Sequence, residues 1–343
     1  MKTTNERWYR QSGSEGDVVI STRIRLARNL PAYPFPEWLT AEQKREIGEK
    51  IKTALTSSEE TFHYLDMQNM LRRDALAMVE RHVISPEFAS CAEGSGLFLT
   101  EDESISLMVC EEDHLRMQAL GAGLQPDALY ERLDALDSAL DGELHFAFDK
   151  RLGYLTQCPT NLGTGMRASV MLHLPALQER GAVQQLANTV SKLGLTIRGM
   201  YGEGSRSEGA LYQLSNQVTL GISERAAIEN LKGIVLQIVR EERAAREEWK
   251  KNPALEDRVY RSLGLLQNAR LLPHEESMRL LSNLRVGIAA GLLTGVSLDT
   301  VNGLMYDVQP AAVMTMAKED LEPAQRDIRR ADMVRQVLSE QKE

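Results

Sequence analysis

Gln157-Cys158-Pro159-Thr160-Asn161-Leu162-Gly163-Thr164-Gly165-Met166-Arg167-Ala168-Ser169 is the most specific stretch of this 343-residue chain. Proline, asparagine and glycine predict a loop, with one cysteine near its start. Arg167 then leads into Ser169 to Leu174, an apolar run that reads as a strand. A second apolar run, Val18 to Leu26, is β-branched and then alternating, the pattern of a half-buried strand. It carries Arg23 and Arg25, which are spaced by two and so share one face. Two guanidinium groups on one face repel each other unless an anion lies between them. Arg116, Arg167 and Arg198 also fall on strands or at strand ends. One such arginine reads as a solvated surface charge; several embedded in apolar runs make a polyphosphate site a competing reading.

Around these runs the first half mixes strands and helices. Gly96 to Leu99 and Ile105 to Val109 predict a hairpin across the acidic turn Glu101 to Ser104. Leu144 to Phe148, Leu152 to Thr156 and Leu195 to Arg198 read as further strands. Glu42 to Leu55, Met67 to Arg81, His114 to Leu124 and Pro126 to Leu140 read as amphipathic helices. The expected class is α+β, with a largely antiparallel sheet flanked by helices. Ser223 to Lys251 predicts one long charged helix, broken by Asn252-Pro253. Beyond Leu255 only helical pieces appear, separated by Pro273, Gly303, Pro310 and Pro323. A boundary near 253 therefore divides residues 1–252 from a small all-α unit, 253–343.

Composition narrows the function classes. The chain is 43% hydrophobic and 26% charged, an ordinary globular balance. Its net charge of −9 argues against wholesale binding to nucleic acid or an anionic membrane. The longest strongly apolar uncharged stretch, Val286 to Leu298, is 13 residues, too short to span a bilayer. Met1 to Gly16 is polar throughout, so a soluble cytoplasmic protein is expected. Cys91, Cys110 and Cys158 are far apart, which argues against a disulfide framework or a cysteine zinc site. Of 40 basic residues, 29 are Arg and 11 Lys; genomic base composition is the first reading of that bias and a need for planar anion grips the second, and composition alone does not separate them. P-loop, dinucleotide, zincin and protein-kinase signatures do not occur.

Cys158-Pro159-Thr160-Asn161-Leu162-Gly163-Thr164 followed by Arg167-Ala168-Ser169-Val170 resembles the signature of the phosphagen (guanidino) kinases. Ser21-Thr22-Arg23-Ile24-Arg25, Glu111-Glu112-Asp113-His114-Leu115-Arg116, Arg198-Gly199-Met200-Tyr201-Gly202-Glu203 and Ser215-Asn216 resemble further blocks in the right order, over roughly residues 17–250. The first of these arrives by residue 21, so the N-terminal helical domain of the small-molecule kinases is not expected. Arg326-Asp327-Ile328-Arg329-Arg330-Ala331 resembles the R-D-x-x-R-A motif of bacterial protein arginine kinases.

The resemblance implies an ATP:protein-L-arginine phosphotransferase using ATP and Mg2+. Glu112, Glu203 and Cys158 are the implied catalytic residues. The implied nucleotide-binding residues are Ser21, Thr22, Arg23, Ile24, Arg25, His82, Arg116, Arg167, Ala168, Ser169, Val170, Met171, Arg198, Gly199, Met200, Tyr201 and Gly202. Glu111 is a candidate for outer-shell magnesium contact, with no direct protein ligand to the metal. Arg206 stands where the phosphagen kinases place their second carboxylate, so either Glu203 or Glu208 takes that role. Tyr201 replaces a phosphate-binding arginine, for which Arg198 compensates. Arg326 and Arg330 lie four apart with Asp327 beside them, and with Ala331 imply a second, phosphoarginine-binding site. The implied partners are unfolded or regulatory protein substrates, a zinc-binding activator protein, an AAA+ Clp protease and a second copy in a homodimer. A kinase of a free guanidino compound and a catalytically weak phosphoarginine-binding adaptor remain the alternatives.

Overall fold

The computed structural model describes residues 7–90, 93–199 and 208–340. Its strands in chain order are β1 (Val19–Arg28), β2 (His63–Asp66), β3 (Gly96–Leu99), β4 (Ile105–Val109), β5 (Leu115–Ala122), β6 (Phe148–Asp149), β7 (Gly153–Tyr154), β8 (Met166–His173), β9 (Leu195–Gly199) and β10 (Leu211–Asn216). The helices are α1 (Ala41–Ala54), α2 (Arg72–Glu80), α3 (Pro86–Ser90), α4 (Pro126–Leu144), α5 (Pro175–Glu179), α6 (Val183–Ser191), α7 (Glu224–Trp249), α8 (Pro253–Asn268), α9 (His274–Ala289), α10 (Leu298–Asp307), α11 (Pro310–Ala317) and α12 (Pro323–Glu340). Among the described residues, eight strands form one sheet in the order β2-β3-β4-β5-β1-β8-β10-β9. Every pairing in it is antiparallel. The α+β class with an antiparallel sheet is therefore observed.

Alternation along the central strands gives this sheet two different faces. Ile24 and Leu26, Met117 and Ala119, Ala168 and Val170, and Leu214 face one way, onto α1, α4 and α7. The positions between them hold Arg23, Arg25, Arg116, Arg167, Ser169 and Gln213. At one end of that second face, Ile20, Leu120, Met171 and Leu211 pack against the second-half helices through Leu255, Val259, Met278, Leu281 and Leu284. The helical half thus covers part of the polar face and leaves the arginine end open.

Local signals set most element ends. Thr40 and Gln43 form a reciprocal capping box on α1, and Ser223 accepts from the Ala226 amide at the start of α7. Asn252 caps α8, with Pro253 in its first turn. Among the described residues after 252 there is no strand.

His114 to Leu124 departs from expectation: it is strand β5, not a helix. Its Leu, Met, Gln and Ala are good helix formers, but β5 pairs with β1 and β4 on its two sides, and all of it except Arg116 is buried. A strand covered on both faces shows no alternation, so burial overrides propensity. Leu144 to Phe148 also differs. α4 continues to Leu144 and stops on His145 at φ 54°, leaving only the short β6–β7 ribbon beyond it. Met67 to Arg81 opens as a 3-10 turn capped by Asp66 and becomes helical only from Arg72. β2 and β10 were not expected as strands.

Arg28, at the end of β1, joins three layers. Its Nε donates to Asp137 of α4 at 2.9 Å, and a terminal amine donates to the Thr164 carbonyl at 3.1 Å. The guanidinium also lies 3.4 Å from the Tyr154 ring centre. The Arg28 and Asp137 side chains are 2% and 6% exposed, so neither charge is satisfied by water. Arg28→Met should cost about 3–5 kcal/mol in urea denaturation by stranding Asp137, and adding Asp137→Leu should recover most of it.

Candidate active site

Strand register assembles the arginines. Arg25 and Arg167 face each other directly across β1 and β8, and Arg116 on β5 pairs with Ala27. Arg23 donates to Ser169 Oγ at 3.4 Å and to Gln213 Oε1 at 3.2 Å. Arg198 on edge strand β9 lies opposite Gln213 and adds its charge to that of Arg167. Burial, with repulsion from Arg116 and Arg167, lowers the Arg23 guanidinium to about 10. Arg25 is lowered by burial and by Arg23, Arg116 and Arg167, and Arg167 by burial and by Arg198 and Arg116. Arg25 Nε is buried without a hydrogen-bond acceptor among the described residues. This face has more positive charge than it can balance, which is the condition for gripping a polyanion.

The arginines floor a cleft with two lobes. One, of about 540 Å³, is lined by Arg25, Glu111, Glu112, Arg116, Gln157, Cys158 and Arg167 among others. The other, of about 400 Å³, shares Arg25, Arg116 and Glu87 with it and adds Arg23, His82, Gln118, Gln213 and Gln309. His82 adopts the left-handed conformation, φ 62°, just after α2. Burial and the charges of Arg23 and Arg25 lower its imidazole to about 3, so it is neutral at physiological pH.

The three adjacent acids have three different settings. Glu112 is partly exposed and bonds Arg116 at 2.6 Å, yet its pKa is raised. Burial outweighs the attraction of Arg116, and repulsion by Asp113 and Glu111 adds to the rise. The Glu111 side chain is nearly covered and is engaged by Arg116, Ser85 and the Glu112 amide. Asp113 is buried and joins the two halves of the site. Its Oδ1 accepts from Asn29 Nδ2 at 2.7 Å and from the Gln157 amide at 2.8 Å. Asn29 in turn accepts from the His114 amide and donates to the Leu155 carbonyl. Glu112 and Cys158, 46 positions apart in the chain, are thereby held in one lobe.

Cys158 is half-buried, with Sγ 3.1 Å from Thr160 Oγ1. Cys110 is buried, and burial pushes its thiol up to about 12, the setting of an inert cysteine. Cys91 lies outside the described residues, as do Met200, Tyr201, Gly202, Glu203 and Arg206. Glu208 opens the 3-10 turn Glu208–Ala210, and Gly199 ends β9. Ser21, Ser169 and Met171 lie on the cleft face beside Arg23 and His82. Thr22, Ile24, Ala168 and Val170 occupy the alternate positions, and their side chains turn away toward the core. Gln213, Asn29, Asp113 and Ser85 belong to the site but were not picked out by sequence. Among the described residues, no three His, Cys, Asp or Glu side chains converge as a metal-ion site.

Arg326, Asp327, Arg330 and Ala331 lie on α12, outside both lobes. Arg330 is buried rather than presented outward: it donates to the Val308 and Leu272 carbonyls and to Asp327 Oδ1 at 2.6 Å. Arg326 and Asp327 stay partly exposed, and Ala331 is buried.

Two family descriptions match the chain. "ATP:guanido phosphotransferase, C-terminal catalytic domain" covers residues 46–245, and "Protein-arginine kinase McsB C-terminal domain" covers residues 252–343. A protein-arginine kinase of Halothermothrix orenii is 43% identical over 97% of this chain and 96% of its own. Another, of Clostridium acetobutylicum, is 42% identical over 97% and 99%. Among solved structures, the duplicated taurocyamine kinase of Schistosoma mansoni, with bound transition-state-analogue components, superposes with a TM-score of 0.62 at 29% identity. The match covers 72% of this chain and 37% of that one. A lombricine kinase gives a TM-score of 0.59 at 26% identity, over 68% of each chain.

Asp113→Ala should leave the Gln157 amide without its acceptor and Asn29 Nδ2 with the Leu155 carbonyl alone, and so loosen Cys158 relative to Glu112. Turnover should fall by about 10²-fold. Nucleotide affinity measured by calorimetry should stay unchanged, because the arginines of the cleft floor are held by strand register.

Proposed function

The chain belongs to the ATP:guanido phosphotransferase family, in its protein-arginine kinase branch, and from that premise we propose how its cleft transfers the γ-phosphoryl group of ATP to arginine side chains of proteins. One observation carries the reading. Arg23, Arg25, Arg116 and Arg167 converge in a cleft whose other wall presents Glu112 and Cys158.

Arg23, Arg25, Arg116 and Arg167 hold the triphosphate, with Arg198 at the edge, and neutral His82 lines the nucleoside end. The unmatched positive charge of this floor fits such an anion. Glu111, which lines the cleft, would make an outer-shell contact to magnesium carried in with the nucleotide, and the metal would supply charge that offsets the phosphates. The acceptor is difficult chemistry, because a guanidinium stays protonated at neutral pH and has no nucleophilic lone pair. Glu112 grips its planar fork and takes the proton as the nitrogen bonds to phosphorus and the bond to the β-phosphate oxygen breaks. Its raised pKa suits a group that must accept a proton. Cys158 lies beside the guanidinium. Glu203 or Glu208, in the stretch of sequence between β9 and β10, supplies the second carboxylate.

The helical half, 253–343, forms a second unit beyond the Asn252-Pro253 break, and Arg326 with Asp327 takes phosphoarginine there while Arg330 anchors Asp327 from within. No described helix is long and apolar enough to cross a membrane, and the protein acts in the cytoplasm. A homodimer, a zinc-binding activator protein, and an AAA+ Clp protease that receives the marked proteins complete the proposal. Its support is the family premise.

Incubation with Mg-ATP, an unfolded protein and free arginine, followed by acid-free mass spectrometry, should place phosphate on protein arginines. Phosphate on free arginine alone would make the chain a small-molecule guanidino kinase, and no transfer to either would favour an adaptor. Glu112→Gln should abolish turnover with ATP binding retained. In the wild type, kcat/KM should fall with decreasing pH through a midpoint above the ordinary carboxylate range, since the raised Glu112 must be deprotonated to act.

A further inference from the structure

A residue other than glycine at φ 62° persists only where its surroundings fix it, and His82 is fixed from two sides. From the sheet, Gln118 of β5 donates its side-chain amide to the His82 carbonyl at 2.8 Å and to the Val83 carbonyl beside it. Ser106 of β4 donates to the same Val83 carbonyl at 2.7 Å. These bonds satisfy the carbonyls at the exit of α2 and hold the backbone, but they leave the imidazole free to turn about its own torsions. Its Nε2 is covered and has no hydrogen-bond partner among the described residues. From the second half, Tyr306 of α10 meets that imidazole edge to face, with ring centres 6.1 Å apart and planes at 88°. Tyr306 is held in turn. It is buried against Trp8 and Tyr9, at ring-centre distances of 5.5 and 4.9 Å. The next residue, Asp307, accepts from Arg10 at 2.6 Å, which pins α10 to the N-terminal segment. Gln309, also of the second half, lines the same lobe as His82.

We propose that Tyr306 is a positioning residue for the nucleotide: its ring orients the His82 imidazole toward the nucleoside, so the lobe is complete only with the second half in place. The proposal rests on the reading that this lobe takes the nucleoside end of ATP. The backbone of His82 belongs to the first half and is set by Gln118, whereas the direction of its ring is set by a side chain more than 200 positions later. Without that ring the imidazole gains other rotamers, and the nucleotide must fix it on binding. The loss falls on nucleotide affinity rather than on transfer, because Glu112 and Cys158 lie in the other lobe. Tyr306 also acts on Arg23, whose guanidinium its phenol raises against the lowering by burial. That second route runs through the hydroxyl, and the first through the ring.

The test is a double-mutant cycle on the full chain, read by calorimetry with Mg-ADP and by steady-state kinetics. Tyr306→Leu, or the longer Tyr306→Met, should weaken Mg-ADP binding and raise the KM for ATP about three- to tenfold, the worth of one edge-to-face contact. The kcat and the KM for the acceptor protein should not change. Tyr306→Phe keeps the ring and drops the hydroxyl, and should bind Mg-ADP as wild type does. His82→Ala should lose about as much as Tyr306→Leu, and the two together should lose no more than either alone. The His82 ring resonances, identified by their absence in His82→Ala, should move in Tyr306→Leu and stay in Tyr306→Phe. Losses that add in the double variant would overturn the proposal, since Tyr306 would then act through Arg23 or another neighbour. So would normal Mg-ADP binding by Tyr306→Leu, or a fall in kcat and melting temperature together with both KM values, the mark of a merely structural role. The calorimetric cycle needs no turnover. Coupled losses without any phosphate transfer would uphold the positioning role while refuting the kinase reading, and a wild type that binds no Mg-ADP would overturn both.

Discussion

Repulsion among like charges organises this molecule. Four guanidinium groups share one face of an antiparallel sheet, and among the described residues their charge is only partly matched. Of the four, only Arg116 is paired outright with carboxylates among the described residues, Glu111 and Glu112. Arg23 and Arg25 are buried among their own kind, and Arg25 keeps an unbonded Nε. Such an arrangement costs stability and persists only where the surrounding frame is rigid. Here the frame is the sheet itself: β1 and β8 each have a partner on both sides, so the arginines cannot spread apart without breaking backbone hydrogen bonds.

The helical half secures that frame from the side. Buried Arg285 on α9 donates to the Gly16 and Asp17 carbonyls just before β1 and to Asn302 on α10. The Asp17 side chain bonds Arg243 and Arg246 on α7, which hold its carboxyl down at about 2 despite burial. On the far side, Glu80 at the end of α2 accepts the Ala311 and Ala312 amides at 2.8 Å each, capping α11 two residues before His82. Both ends of the cleft floor are therefore tied to helices that come later in the chain. This is a structural reason for the second half to accompany the first.

Much of the site was legible because its chemistry sits in short blocks. Arg23 and Arg25 were placed on one face by a spacing of two, and the structure puts them there. The period of a strand is short enough to be read in five residues. Glu112 and Cys158 were named from their blocks, and they do line one lobe. Asp113, which joins them, read only as the third member of an acidic triplet. Its role depends on Asn29 and the Gln157 amide, and no local pattern announces a partner 84 positions away. Gln213 was missed for a related reason, since β10 itself was not recognised as a strand.

Residue pattern alone determined the class, the antiparallel sheet, the arginine face, the long helix from Ser223 and the helical character after Pro253. Each of these depends on interactions within a few residues: alternation, capping and proline's missing donor. Tertiary structure decided the rest. It made β5 a strand against the propensity of its own residues, because a segment hydrogen-bonded on both sides and covered on both faces gains more from burial than helix formation offers. It also turned Arg330 inward, where two backbone carbonyls and Asp327 satisfy it, whereas spacing on α12 placed it beside Arg326. Helical spacing says which residues share a face. Which face is buried depends on what packs against it, and for α12 those groups, Leu272 and Val308, lie 58 and 22 positions earlier in the chain.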